Sequence, residues 1–171
     1  MSENNLSLNG NVALVTGASS GLGAHFAKIL SRFGARVVVA SRRTENLNKI
    51  VDDIRNEGGQ AISLKLDVTQ NDSTKDDYIG NVLDKSEEIF GAVTILVNNA
   101  GVADSVRFVN ATEEQFDFVM NTNLKGSWRV AQAVSKRLLL LKLEGSIINI
   151  SSILGLRVAI GESSYAISKA G

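Results

Sequence analysis

The segment Thr16-Gly17-Ala18-Ser19-Ser20-Gly21-Leu22-Gly23 follows an apolar run and opens an amphipathic one, so its glycines lie where backbone must approach a ligand closely. Amide groups at a helix N-terminus favour a pyrophosphate at that place. Three glycines could be tight-turn chemistry alone, but between a strand and a helix they point to dinucleotide binding. Their spacing, G-x-x-x-G-x-G, differs from the commoner G-x-G-x-x-G. The same residues contain G-x-S-x-G in Gly17 to Gly21, the nucleophile elbow of hydrolases, whose chemistry needs an acid and then a histidine later in the chain. His25 is the only histidine and follows Ser19 by six residues inside the same helical stretch, so a Ser-His-Asp triad is excluded by inventory. His25 reads as a helix-surface or packing residue.

Further along, Ala40-Ser41-Arg42-Arg43 ends the second apolar run. A dinucleotide site chooses at that point between an acid for a free ribose 2′-hydroxyl and a base for a 2′-phosphate. Here the acid is missing and two arginines follow, which points to a phosphate contact rather than a merely solvated loop. Asp67-Val68 closes the third run, where a carboxylate and backbone can meet an adenine edge; Asp67 alone would be an ordinary turn residue. Asn98-Asn99-Ala100-Gly101 ends the fourth with two short amides and a glycine, suited to close cofactor approach or to a plain turn. Ser152 precedes Tyr165 by thirteen residues, and Lys169 follows it by four, which places tyrosine and lysine on one helix face. A lone pair of that kind is usually surface decoration. Asp52-Asp53, Asp76-Asp77, Glu87-Glu88 and Glu113-Glu114 read as solvated helix faces.

The elements that must position these residues alternate along the chain. Apolar runs at Val12–Thr16, Arg36–Ala40, Ala61–Leu66, Val93–Val97 and Ser146–Ile150 read as strands. Between them helical spacing recurs: Leu22, Phe26, Ile29, Leu30 and Phe33 with Gly34 to cap; Leu47, Ile50, Val51 and Ile54 behind a Thr44 cap and before Gly58-Gly59; Tyr78, Ile79, Val82, Leu83, Ile89 and Phe90; and Thr112 to about Arg137. Strands of nearly continuous apolar character must be covered on both faces, which predicts a Rossmann-like doubly wound parallel α/β sheet, with ligands outside the carboxyl ends of the strands. The 171 residues predict a single dinucleotide-binding domain. Eighteen basic and eighteen acidic side chains balance, so nothing draws the chain toward nucleic acid or an anionic membrane. Without cysteine, and with one histidine, thiolate and His-rich metal sites are excluded, and no metal is expected. The apolar runs fall far short of the roughly 20 residues of a membrane span, and a cytoplasmic protein is expected.

Taken together, Thr16 to Gly23, Asn98-Asn99-Ala100-Gly101, Asn149-Ile150-Ser151-Ser152 and Tyr165-Ala166-Ile167-Ser168-Lys169 resemble the short-chain dehydrogenase/reductase family in order and spacing, over the whole chain, and the chain looks most like members similar to 3-oxoacyl-carrier-protein reductase. The resemblance implies strand order 3-2-1-4-5. It implies a catalytic set of Asn123, Ser152, Tyr165 and Lys169. It implies cofactor binding by Gly17, Ser19, Ser20, Gly21, Leu22, Gly23, Ser41, Arg42, Asp67, Val68, Asn99 and Gly101, with Tyr165 and Lys169, and NADP(H) in preference to NAD(H) because Ser41 stands at a position that is acidic in NAD users. A small carbonyl or alcohol substrate and a homo-oligomer, dimer or tetramer, come with it. A free phenol has a pKa near 10, and a lysine cation about 5 Å away at an effective dielectric near 20 favours its phenolate by roughly 3 kcal/mol. Family members continue past the Tyr/Lys helix with two more strands and a substrate-covering loop, whereas this chain stops at Gly171. The alternative expectation is therefore a C-terminally truncated, catalytically weak or inactive nucleotide-binding fragment.

Overall fold

The computed structural model describes residues 6–70, 72–75 and 78–171. Five strands form one parallel sheet: β1 (Val12–Thr16), β2 (Arg36–Ser41), β3 (Gln60–Lys65), β4 (Ile95–Asn98) and β5 (Ser146–Asn149), in the order β3-β2-β1-β4-β5. Central β1 pairs with β2 in the register Val12↔Arg36 to Thr16↔Ala40, and with β4 in the register Ala13↔Ile95 to Val15↔Val97. The connections carry α1 (Gly21–Arg32), α2 (Thr44–Asn56), α3 (Ile79–Ile89), α4 (Glu113–Met120) and α5 (Ser127–Leu141), and α6 (Ser163–Ala170) follows β5.

Successive side chains of a strand point to opposite faces, and here both faces are covered. Ala13, Val15, Val37 and Val39 pack with Leu47, Ile50, Val51 and Ile54 of α2 on one side. On the other, Val12, Leu14, Val38 and Leu96 pack with Val82 and Leu83 of α3 and Val130, Val134 and Leu138 of α5. The unbroken apolar runs are thus the consequence of two buried faces rather than one.

Several boundaries differ from the sequence reading. β2 extends to Ser41, β3 runs Gln60–Lys65, and β5 stops at Asn149. β4 begins at Ile95 rather than Val93 because Thr94 is a connector: its hydroxyl accepts from Val12 N–H and donates to Asn11 Oδ1. Thr44 is the first residue of α2, not its cap; Arg43 holds the cap position without a side-chain bond to the helix. Thr112 and Gln115 make a reciprocal capping box that starts α4. Between α4 and α5 the helix widens into a π segment, Asn121–Gly126, which periodicity did not signal.

On α1 the buried positions are Gly23 and Ala27, while Leu22, placed on the apolar stripe, is 60% exposed. Small residues let α1 lie close to β1, and Leu22 is left for the cleft described below. Two acidic residues read as solvated are ion-paired. Asp53 meets Lys28 at 2.8 Å, and half-buried Glu87 meets Arg137 at 2.6 Å, the same guanidinium reaching Asp84. Their lysine and arginine lie far away in sequence, where local spacing carries no sign of them. Asp76-Asp77 lies outside the described residues. At the sheet edge every residue of β5 is exposed, in contrast to the buried β1 and β4. No helix among the described residues is long and apolar enough to cross a membrane.

Candidate functional site

The carboxyl ends of β1 to β4 open into a cleft of about 620 Å³. Gly17, Ser19, Ser20 and Leu22 of the turn after β1 form one wall. Ser41 and Arg42 after β2, with Asp67 and Val68 after β3, line it too, and Asn99 and Gly101 after β4 complete the set. Ten expected cofactor residues therefore meet in one place. Gly21 and Gly23 shape the turn without lining the cleft.

Gly17 has φ +64° and Gly21 φ +57°, a left-handed backbone that glycine adopts without the clash of a Cβ. A Cβ on Gly17 would also lie 2.7 Å from Ala100 Cα, and one on Gly23 would lie 2.6 Å from Gly17 O. The turn is thus pressed against the strand ends, and bare backbone is left facing the cleft. Asn99 holds it there: its amide nitrogen donates to Thr16 O at 3.0 Å and Gly17 O at 3.2 Å. Thr16, absent from the sequence-based set, accepts through its hydroxyl from Asn99 N–H and Ala100 N–H, both at 3.0 Å. A threonine closing a strand gives no sign of such a partner more than eighty residues away.

Because the clash at Gly23 is with backbone that cannot step aside, Gly23→Ala is expected to destabilise the fold by about 1–3 kcal/mol, as overpacking does. Thermal unfolding should show this as a Tm lower by roughly 3–10 °C. An unchanged Tm would mean that the turn is not clamped.

Asp67 Oδ1 accepts from Thr69 N–H and hydroxyl at 2.9 and 2.8 Å, which fixes the carboxylate at the end of β3. Arg43, the second of the two arginines read from the sequence as a phosphate contact, lines the cleft and donates to Ser19 Oγ at 3.2 Å.

Beyond Gly101 lies the expected catalytic group. A Cβ on Gly101 would stand 3.4 Å from Asn123 Oδ1 and 3.7 Å from Lys169 Nζ, so the cleft wall and these two side chains touch at a glycine. Asn123 sits in the π segment, buried. Its amide donates to Val102 O at 2.8 Å and Ser168 Oγ at 2.9 Å, and its oxygen accepts from Val102 N–H at 2.8 Å. Ser168, another residue without a sequence signal, donates in turn to Tyr165 O. The π segment is therefore tied to α6 through side chains. Lys169 Nζ lies 5.7 Å from the Tyr165 ring centre and donates to Ile150 O at 2.7 Å. Ser152 is spent locally: its hydroxyl accepts from Leu154 N–H and caps the short turn Ile153–Gly155, and among the described residues no hydrogen bond joins it to Tyr165.

Burial holds the Lys169 ammonium below the ordinary lysine pKa of 10.5. A lysine whose folded pKa is depressed binds fewer protons folded than unfolded in the window between the two values, so stability rises with pH there. Melting temperatures of the protein and of Lys169→Met, followed from neutral pH toward 10.5, should diverge in favour of the unsubstituted protein. A difference that does not change with pH would contradict the buried-cation reading.

Residues 11–171 match the short chain dehydrogenase family. The chain is 36% identical over 164 residues to 3-oxoacyl-[acyl-carrier-protein] reductase FabG of Thermotoga maritima, covering 96% of this chain and 64% of that protein. It is 36% identical over 164 residues to oxidoreductase UcpA of Salmonella typhimurium, covering 95% and 60%. Among solved structures, a short-chain type dehydrogenase/reductase from Mycobacterium marinum superposes with TM-score 0.89 at 33% identity, covering 96% of this chain and 64% of that one. A metagenomic short-chain oxidoreductase in complex with NADP superposes with TM-score 0.85 at 34% identity, covering 95% and 71%. The chain thus spans less than two thirds of the length of the curated relatives named here. Matched by the family model over residues 11–171, the chain belongs to the short chain dehydrogenase family.

Proposed function

We propose that the protein is an oxidoreductase that uses NADP(H) in preference to NAD(H) and moves a hydride between the nicotinamide and the carbon of a small carbonyl or alcohol substrate. The observation that carries this is the junction at Gly101, where the wall of the 620 Å³ cleft meets Asn123 and Lys169. Residues able to hold a dinucleotide and residues able to handle a proton are thereby neighbours. The cofactor fit rests on the glycine turn, whose bare backbone is packed too tightly for a Cβ at Gly17 or Gly23.

In this proposal a bound nicotinamide would supply the hydride that the carbonyl carbon needs. Tyr165 donates its phenol proton to the carbonyl oxygen as the C=O electron pair moves onto it. Lys169 stabilises the phenolate left behind, and Ser152 gives up its bond to Leu154 N–H to orient the substrate oxygen. Asn123 holds the wall behind Lys169, on the side from which the proton is resupplied. Gly17, Ser19, Ser20, Gly21, Leu22 and Gly23 carry the pyrophosphate, Ser41 and Arg42 the adenosine ribose end, Asp67 and Val68 the adenine edge, and Asn99 and Gly101 the approach to the nicotinamide. The 3-oxoacyl-carrier-protein reductase among the relatives supports a carbonyl substrate, and the NADP complex among the neighbours supports the cofactor. A homo-oligomer is proposed on the exposure of Phe118 on α4 and Trp128 on α5.

A second reading, that these 171 residues bind the dinucleotide but turn over poorly, is favoured by the exposed strand β5. Ile147 and Ile148 are apolar side chains at an open edge, next to the chain that carries Ser152. Assaying NADPH oxidation with a panel of ketones, for residues 1–171 and for a version lengthened as its relatives are, separates the readings. Ketone-dependent oxidation in the longer version supports the reductase, and its absence from both overturns it. Comparable turnover from the short chain removes the second reading.

A further inference from the structure

We propose that Ser168 is a positioning residue whose hydroxyl sets the rotation of α6, and with it the places of Tyr165 and Lys169, against Asn123; this deepens the reductase reading above and rests on it. The need for such a device is visible in α6 itself. It has eight residues, and a helix that short holds its orientation only through packing. The residues it buries are Ser164, Ala166 and Ser168, none of them a large apolar anchor. Ser164 Oγ reaches Asp104 Oδ2 only at 3.5 Å, the outer limit of a hydrogen bond. Ser168 makes the shorter contacts.

One of those contacts is ordinary. A helical serine readily donates back to a carbonyl one turn earlier, and Ser168 Oγ does so to Tyr165 O at 2.8 Å. The other is not local. With its proton on Tyr165 O, the hydroxyl has lone pairs to offer, and it accepts from Asn123 Nδ2 at 2.9 Å across 45 residues. Asn123 comes to this contact with its amide plane already fixed. Its Oδ1 accepts from Val102 N–H and its Nδ2 donates to Val102 O, both at 2.8 Å, which leaves the second N–H pointing one way. Asn123 and Ser168 are each 4% exposed, so without the serine that N–H would be buried and unpaired.

A continuous set of bonds therefore runs from Val102, in the loop after β4, through Asn123 and Ser168 to the backbone of the tyrosine. Asn123 Oδ1 and Lys169 Nζ both approach Gly101, where the cleft wall ends. Tyr165 and Lys169 stand four residues apart on one face, so a turn of α6 about its axis would carry both away from that junction together. Ser168 blocks the turn. A misplacement of about 1 Å removes much of a reaction's rate, and the loss belongs in kcat rather than in cofactor affinity.

The test is steady-state kinetics of NADPH oxidation, on a version that turns over ketones, for Ser168→Ala, Ser168→Thr, Asn123→Ala, the Ser168→Ala/Asn123→Ala pair and Ser151→Ala. Ser168→Ala should lower kcat about ten- to hundredfold, with KM for the ketone and Kd for NADPH within about a factor of two. Ser168→Thr keeps a hydroxyl that can make the same bonds and should restore most of the loss. In the Asn123→Ala background, removing Ser168 should cost less than about twofold more, because the two act as one unit. Ser151 also grips α6, donating to Lys169 O at 3.0 Å, but its hydroxyl is exposed and tied to neither Asn123 nor Tyr165 O. Ser151→Ala should keep kcat within about twofold. The inference is overturned if Ser168→Ala keeps near-normal kcat, if its loss multiplies with that of Asn123→Ala, or if Ser151→Ala costs as much. Should Asn123→Ala not fold, Ser168→Thr decides, and a kcat no better than that of Ser168→Ala overturns the inference. If the unsubstituted protein oxidises NADPH with no ketone, the reductase reading itself fails.

Discussion

Replacing Tyr165 by phenylalanine is expected to lower turnover by about 10²–10⁴-fold while leaving NADPH affinity within a factor of two. Removal of a positioned general acid has that size of effect. The reason for the split is local. Tyr165 lies on α6, reached through Ser168 and Asn123, whereas the cleft proposed for the dinucleotide is built from the ends of β1 to β4. The phenol oxygen is used in the transition state and contributes little to holding the cofactor, so kcat and kcat/KM should fall together. Steady-state kinetics and a cofactor titration on a version that turns over ketones check this. Near-normal turnover would remove Tyr165 as the proton donor, and an equal loss of NADPH binding would mean that the ring is structural.

The second large effect is on cofactor choice. Ser41→Asp sets a carboxylate at the end of β2, beside Arg43, whose carbonyl Ser41 now binds. A carboxylate about 5 Å from a phosphate at an effective dielectric near 20 costs roughly 3 kcal/mol for each pair of unit charges. It also offers the free ribose 2′-hydroxyl of NADH an acceptor. The ratio of NADH to NADPH affinity should rise about a hundredfold or more, and raising the salt concentration should shrink the change. An unaltered ratio would place the 2′-position elsewhere.

How much of this was legible in the sequence depends on the distance over which each interaction acts. Strands β1 and β2 were readable almost to the residue because their interiors are unbroken apolar runs buried on both faces, with polar residues only at the ends, Thr16, Arg36 and Ser41. Most residues of the cleft were readable for a related reason: they follow directly on the carboxyl ends of β1 to β4, where a doubly wound sheet opens a cleft, although Leu22 lies in α1 and Thr122 in the π segment. Partners far apart in sequence left no trace. Thr16 with Asn99, Arg43 with Ser19, and Glu87 with Arg137 are pairs that only the folded chain brings together. As a packing residue Leu22 misled for a physical reason: its apolar side chain lines the cleft, while the packing face of α1 is the small pair Gly23 and Ala27, which hydrophobicity barely registers. The π segment was invisible because Asn121 to Gly126 has no local signal for one extra residue in the turn, and that widening is what carries Asn123 to Val102 and Ser168.

The most direct measurement is a pair of equilibrium titrations, NADPH and NADH, against residues 1–171 at fixed ionic strength. The turn pinned at Gly17, the absence of an acid at Ser41 and the two arginines after it predict saturable one-site binding of both, with NADPH the tighter. Failure of either cofactor to bind saturably, or a lower Kd for NADH, would contradict the account.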